Sequence, residues 1–525
     1  VSTRMINRTR FKRGLLAAGV VAALALTGCT TGGSKASGGA KTDTIRTTTV
    51  ADPNSFDPAI ASGVTAYQTG ALLFGTLVYQ DEDNTLAPGI ASAYNIDDPK
   101  HQEFTIRDGL TCADGTAITP TVVKNSLEYF VKNSQQKALV FGPSAPRIAA
   151  DDAAKKVTVD LETGWAEVGR GLTMNETGII CPAGLKDPKG LAQGTVEGAF
   201  SGPYTLTENK PGASLTMTRR DDGYTFPEYK TKPDGEYAKK INFAVNNDQN
   251  AIANGLLTGT DDVANVSGEA MKRFDGKDDF TTERYVVSTL YIMFNERKGM
   301  PFTDPAKRRA FAQALNRTTF NQAVSGGLGD VINSFASDDV ECVIKDDASI
   351  AEPDVEAAKK VLAGQKINLI GTLSAGPNGA GNSYVAQALE AAGAKVSLRN
   401  VDNSTWSTDM MSKADSWDVT VMASLNPGRT ISSGLNYFTG TSTEDGGRNS
   451  SGNPHQDILA LNLKAMDTAD AGERCTIYQR VQEQVNKDAD IVPLSTLTSQ
   501  SNARAGFAAP RINGGVPTIA MYIKN

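Results

Sequence analysis

Residues 366–423 read KINLIGTLSAGPNGAGNSYVAQALEAAGAKVSLRNVDNSTWSTDMMSKADSWDVTVMA, and their periodicity switches repeatedly between two and 3.6. Lys366 to Ile370 alternates polar and apolar residues as a strand does, and Asn382 to Ala392 carries an apolar helical stripe stopped by Gly393. Lys395 to Asn400 alternates again, a short helix follows near Trp406, and Trp417 to Ala423 is a strand. Alternation of this kind predicts an α/β lobe built on a mainly parallel sheet.

The pattern extends upstream. Glu352-Pro353 opens a helix, as does Asp304-Pro305, whose Ala310, Phe311, Ala314 and Leu315 share one face. Thr119-Pro120 supplies an N-cap and a first helical residue, with Val123, Leu127 and Phe130 on one stripe. Phe104-Thr105-Ile106 reads as a strand before the turn Arg107-Asp108-Gly109, and Tyr67 to Tyr79 reads as an apolar helix. Thr44 to Val50 predicts a first strand, stopped by Asp52-Pro53 and Asp57-Pro58. No fixed-period repeat is evident.

Before that strand the chemistry is different. Residues 1–28 hold Arg4, Arg8, Arg10, Lys12 and Arg13 without an acid, then an apolar run from Leu15 to Leu26, then Thr27-Gly28-Cys29. This is the layout of a signal peptide, and the run is shorter than the roughly 20 apolar residues a permanent span needs. Leu26-Thr27-Gly28-Cys29 resembles a bacterial lipobox, which implies lipidation of Cys29. Residues 29–43 are Gly, Ser, Thr, Ala and Lys for the most part and predict a flexible tether.

The chain has 52 Lys+Arg and 59 Asp+Glu; five of the bases are in the leader, so the chain without its leader carries 47 minus 59, or −12. An acidic balance without a basic footprint argues against nucleic-acid binding. Apart from Cys29 there are Cys112, Cys181, Cys342 and Cys475, which allow three pairings into two disulfides or leave buried thiols. The shared early region suggests Cys112 with Cys181. The four are spaced too widely for a zinc cluster.

Catalytic motifs are missing. The two histidines, His101 and His455, sit beside polar and turn-forming residues, which predicts surface positions. No Gly-x-Ser-x-Gly elbow, His-Glu-x-x-His helix or P-loop occurs. Gly326-Gly327-Leu328-Gly329 reads as a turn, and Asp81-Glu82-Asp83-Asn84 lacks calcium-loop spacing. The chain reads as a binding protein with no enzyme activity and no cofactor.

Several stretches, in order, resemble one family. They are Asp52-Pro53-Asn54-Ser55-Phe56-Asp57-Pro58, Leu73-Phe74-Gly75-Thr76-Leu77-Val78, Leu86-Ala87-Pro88-Gly89-Ile90-Ala91, Phe104 to Gly109, Asp114 to Thr119, Ser201 to Leu206, Tyr291-Ile292-Met293-Phe294-Asn295 and Arg308 to Arg317. Together they resemble the extracellular solute-binding proteins of family 5, the oligopeptide and dipeptide group of ABC importers. The resemblance implies an α/β, two-lobed periplasmic-binding-protein-like fold, type II and cluster C-like, with an extra inserted domain. It places the first lobe at 44–82, 199–289 and 494–525, the inserted domain at 83–198 and the second lobe at 290–493. It also implies a monomer, anchored outside the cell membrane by its lipid, that captures a solute by hinge closure and hands it to permease subunits served by separate ATPase subunits.

Site residues come from the resemblance and from chemistry. Ser62, Gly63, Thr65 and Tyr67 offer backbone groups, hydroxyls and a ring from the first lobe, with Tyr67 alternatively opening a core-facing helix. Ser424, Leu425 and Asn426 leave the end of a strand, where α/β folds place ligand groups, and Trp406 offers either a flat binding face or packing. Peptide-binding members commonly carry an aromatic and then an Asp at this loop. This chain has no acid there, so recognition of a peptide ammonium requires another carboxylate. Oligopeptides or dipeptides remain the expected solute, with an oligosaccharide or other non-peptide solute as the alternative and nickel or a metal chelate as a minor one.

Overall fold

The computed structural model describes residues 42–231, 234–426 and 428–525; the leader, Cys29 and the tether as far as Lys41 lie outside them. Residues 43–525 form one compact unit. Among the described residues no helix is long and apolar enough to cross a membrane.

The strand Thr44–Thr49 pairs in parallel with Lys240–Val245, and Ser214–Arg219 and Tyr204–Lys210 extend the sheet antiparallel. Ile45, Leu215, Met217, Ile241 and Phe243 are buried on it. A second, wholly antiparallel sheet orders Ala91–Asp98, His101–Ile106, Lys156–Asp160 and Arg147–Asp151, and the helix Pro120–Asn133 packs on its last two strands. Thr119 caps that helix, and Val123, Leu127 and Phe130 are its buried stripe, as the spacing predicted.

The third sheet is the largest. Its order is Val263–Ser267, Ile491–Arg504, Phe280–Phe294, Val419–Ser424, Lys366–Thr372 and Lys395–Val401. The α/β alternation of 366–423 is present, with helices Ala380–Ala391 and Asn403–Ser412 between the strands. The expectation of a mainly parallel sheet is corrected: only Lys366–Thr372 pairs in parallel, with Lys395–Val401 and Val419–Ser424. The rest is antiparallel because two long strands, Phe280–Phe294 and Ile491–Arg504, arrive from distant sequence and pair with each other almost end to end. Their pairing slips between Val286 and Ser288 and again between Leu290 and Tyr291, irregularities that interrupt the regular ladder.

Three local expectations also change. The helix expected over Tyr67 to Tyr79 runs Val64–Leu73, and Val78–Gln80 is a strand. Phe74 turns extended to stack edge-on against Phe200, and the chain at Gly202 passes so close that a Cβ there would lie 2.4 Å from the Leu72 carbonyl oxygen. The helix expected at Glu352-Pro353 begins at Val355 because Asp354 is its cap. His455 is buried, 8% exposed, where a surface position was expected. It sits in an ionic cluster that satisfies both ring nitrogens: Nε2 lies 3.1 Å from Glu296 and Nδ1 3.4 Å from Asp490, while Arg308 binds the same two carboxylates at 2.8 and 2.9 Å. His101 is exposed, as expected, and pairs with Asp160.

Disulfides join Cys112 to Cys181 and Cys342 to Cys475. The first is the pairing the sequence suggested. The second ties a long loop to the helix Ala471–Lys487, and that loop carries Asp339, which meets Arg429 and Arg511, and Glu341, which meets Arg170.

Candidate functional site

The helix Val64–Leu73 starts at Gly63, whose φ of +89° is a backbone conformation that favours glycine. One turn in, Tyr67 donates its hydroxyl to Glu176 Oε1 at 2.9 Å, and Asn175 donates to the Tyr67 carbonyl at 3.2 Å. Glu176 is 2% exposed, yet its second oxygen, Oε2, has no hydrogen-bond partner. Burial pushes this carboxyl up to about 7, against the Tyr67 hydrogen bond and the Arg448 charge, which favour ionisation. The Tyr67 hydroxyl is raised in turn, by burial first and then by the charges of Glu176 and Tyr437.

The large sheet supplies the opposing groups. Thr289 pairs with Ser424 and Tyr291 with Met422, so Tyr291 and Ser424 project from the same face of neighbouring strands, diagonal to one another. The two hydroxyls are buried and adjoin one another, with no other partner among the described residues. Tyr437 follows the short helix Ile431–Leu435, and the Arg448 guanidinium lies 5.0 Å from the centre of its ring. Arg448 acts electrostatically on Tyr67, Glu176 and Tyr291, so all three lie within reach of its charge. Its Nε is buried without a partner, and among the described residues it forms no ion pair with Glu176. A small cavity adjoins, walled by Phe56, Ala66, Tyr67, Leu73, Phe74 and Glu176.

Burying an acid and a base near each other but unpaired costs free energy unless something else satisfies them. The arrangement therefore suits a ligand that carries a cation to Glu176 and an anion to Arg448, with tyrosine and serine hydroxyls between.

Of the residues expected from sequence, Tyr67 and Ser424 are brought to this place. Ser62 is exposed and tied to Asn54 through its backbone nitrogen, at 3.0 Å, and its hydroxyl, at 3.3 Å. Thr65 accepts a hydrogen bond from Thr49 and fastens the helix to the first strand. Trp406 donates to Thr420 at 2.9 Å and packs on the sheet, the packing alternative. Leu425 is exposed. Asn426 is spent on its own turn, donating to the Thr430 carbonyl and accepting from Ser433. Glu176, Tyr437 and Arg448 were not singled out from sequence, and Tyr291 was read as scaffold; no local motif marks any of them.

Among the described residues two groups of side chains have metal-ligand proximity, and neither is free. The first is Glu296, His455 and Asp490, where Arg308 already holds both carboxylates; the second is Glu341 with Cys342 and Cys475, whose sulfurs are bonded to each other.

Known proteins of similar sequence and fold give the context. A solved substrate binding protein of Microbacterium hydrocarbonoxydans, complexed with 4-hydroxybenzoate hydrazide, is 36% identical and superposes with a TM-score of 0.83 over 92% of this chain and 100% of that one. The periplasmic murein peptide-binding protein MppA of Escherichia coli is 25% identical over 303 residues, 52% of this chain and 53% of that protein, and its structure superposes with a TM-score of 0.74. The D,D-dipeptide-binding periplasmic protein DdpA of the same organism, a probable assignment, is 32% identical over 179 residues, 32% of this chain and 34% of that protein. The chain thus spans about half the length of the first of these curated relatives and a third of the second. These neighbours are two-lobed binding proteins of mixed α/β content, and this chain has the same fold. The family model of bacterial extracellular solute-binding proteins, family 5 Middle, matches residues 85–445, and with that match over most of its length the chain belongs to the extracellular solute-binding proteins of family 5.

Proposed function

We propose that the protein is the extracytoplasmic capture component of an ABC importer and that its solute is a short peptide, held by its ammonium at Glu176 Oε2 and its carboxylate at Arg448. The observation that carries the reading is the buried Glu176 Oε2, which has no hydrogen-bond partner, within the electrostatic reach of the half-buried Arg448, whose Nε is unpartnered too. Tyr67, Tyr291 and Ser424 supply hydroxyls for the peptide groups between. Peptide-binding names among the relatives support the class. Closure bends the paired long strands at their register slips, and binding stabilises the closed arrangement. The polypeptide is a monomer lipidated at Cys29, delivering to permease subunits with separate ATPases. Its first lobe comprises 44–82, 199–289 and 494–525, its inserted domain 83–198 and its second lobe 290–493.

A second reading is a small aromatic solute of the hydrazide kind, favoured by three tyrosines around one arginine and by the ligand of the 36% identical neighbour. Mass spectrometry of solute retained by the purified protein separates the two. A set of peptides of two or three residues is expected; a single aromatic solute and no peptide would replace the first reading by the second.

A further inference from the structure

A larger cavity, about 210 Å³, shares no lining residue with the first. One wall is formed by Leu86, Ile96, Glu167 and Arg170, the other by Thr430 and Arg474 with their neighbours. The walls are fastened together by a hydrogen bond of 2.8 Å from the Ala166 nitrogen to the Met466 carbonyl and by the ion pair of Arg170 with Glu341 at 2.7 Å. That ion pair leaves Glu167 and Arg474 as the charged groups of this lining without a charged partner among the described residues. Arg474 gives Nη1 to the carbonyls of Thr468 and Ala469 at 2.9 and 3.1 Å, which fixes its direction and leaves Nε and Nη2 uncommitted. Glu167 feels the charges of Arg170, Arg474 and Glu341, adjoins the Thr430 hydroxyl and closes no ion pair; burial is the largest influence on it and pushes its carboxyl up to about 7.

As around Glu176, an acid and a base lie within electrostatic reach of each other without closing an ion pair, and here both line one cavity together with apolar side chains. We propose that this cavity is a second solute site, taking an amino-acid-sized zwitterion with an apolar side chain. Its ammonium meets Glu167 and the Thr430 hydroxyl, its carboxylate meets Arg474, and its side chain lies on Leu86 and Ile96. An occupant touches both walls and so holds them together, which favours the closed arrangement. Because no residue is shared with the Glu176 site, the second site is independent of whether the main solute is a peptide.

L-Leucine is the probe, titrated by calorimetry into the purified protein freed of retained solute. The expected result is saturable binding that survives Glu176→Gln, weakens at least tenfold in Glu167→Gln and in Arg474→Met, and is lost when N-acetyl-leucine or leucine amide replaces leucine. Arg474 also helps fix the chain before its helix, so Glu167→Gln, with an unchanged melting temperature, is the deciding variant. Absence of leucine binding in the parent protein, or binding that Glu167→Gln leaves intact, would overturn the proposal. Loss of leucine binding in Glu176→Gln would overturn it too, by putting leucine in the first site. Peptide capture is read separately, so a failure there is a failure of the first proposal alone.

Discussion

A carboxyl that has given one oxygen to Tyr67 and kept the other bare, inside the protein, behaves differently with and without a ligand. Without one, Glu176 has its proton affinity raised from the ordinary 4.5 to about 7, so the folded state holds a proton the unfolded state has released. That costs the ligand-free protein stability as pH rises from about 4.5 to about 7, with no further change above. A ligand ammonium reverses the preference by favouring the ionised carboxylate. Dipeptide affinity should therefore be greatest between about pH 7 and 8, fall by up to tenfold per pH unit below that as Glu176 protonates, and fall again above it as the peptide α-amino group, with a pKa of about 8, loses its charge, as read by titration calorimetry between pH 5 and 9. Glu176→Gln should weaken dipeptide binding about 10- to 100-fold, the worth of a charge-assisted hydrogen bond, and flatten the acid limb of that pH profile. The missing acid at Ser424-Leu425-Asn426 could be read directly from the sequence. Its replacement could not: Glu176 is 109 residues from Tyr67, and only the fold makes them neighbours.

At the scale of elements, the spacing of 366–423 was sufficient to place strands and helices, because each switch of period is local and Gly393 ends its helix where a positive φ is needed. Sheet direction was not legible, since it depends on the long strands Phe280–Phe294 and Ile491–Arg504 from outside that stretch. His455 misled for a related reason: its neighbours are turn residues, but the groups that bury it, Glu296, Arg308 and Asp490, come from elsewhere in the chain. Arg308 is the cation on which both carboxylates of that cluster depend. Arg308→Met should cost about 3–5 kcal/mol in urea unfolding, because it leaves two acids buried without it, and part of the loss should be recovered at lower pH as they protonate. The disulfide of Cys342 with Cys475 closes a separation of 133 residues and anchors the loop bearing Asp339 and Glu341. Replacing both cysteines by serine should lower stability by about 2–5 kcal/mol, measured in the same unfolding experiment.

For the whole molecule, the family motifs marked a shared scaffold more clearly than a site. Gly202 shows why: it lets the strand after it pass against Leu72 and Phe74, a demand of the fold whatever the solute. Residues that meet a solute have no such fixed packing role, and those proposed for it come from Tyr67 to Arg448 across the chain. Because the proposed grip needs an acid and a base at the two ends of the ligand, the most direct measurement compares alanyl-alanine with N-acetyl-alanyl-alanine by calorimetry at about pH 7.3, below the α-amino pKa. Micromolar or tighter binding of the free dipeptide, reduced at least tenfold by acetylation and by Glu176→Gln, is what the account predicts. Absence of dipeptide binding, or equal binding of the acetylated form, would contradict it.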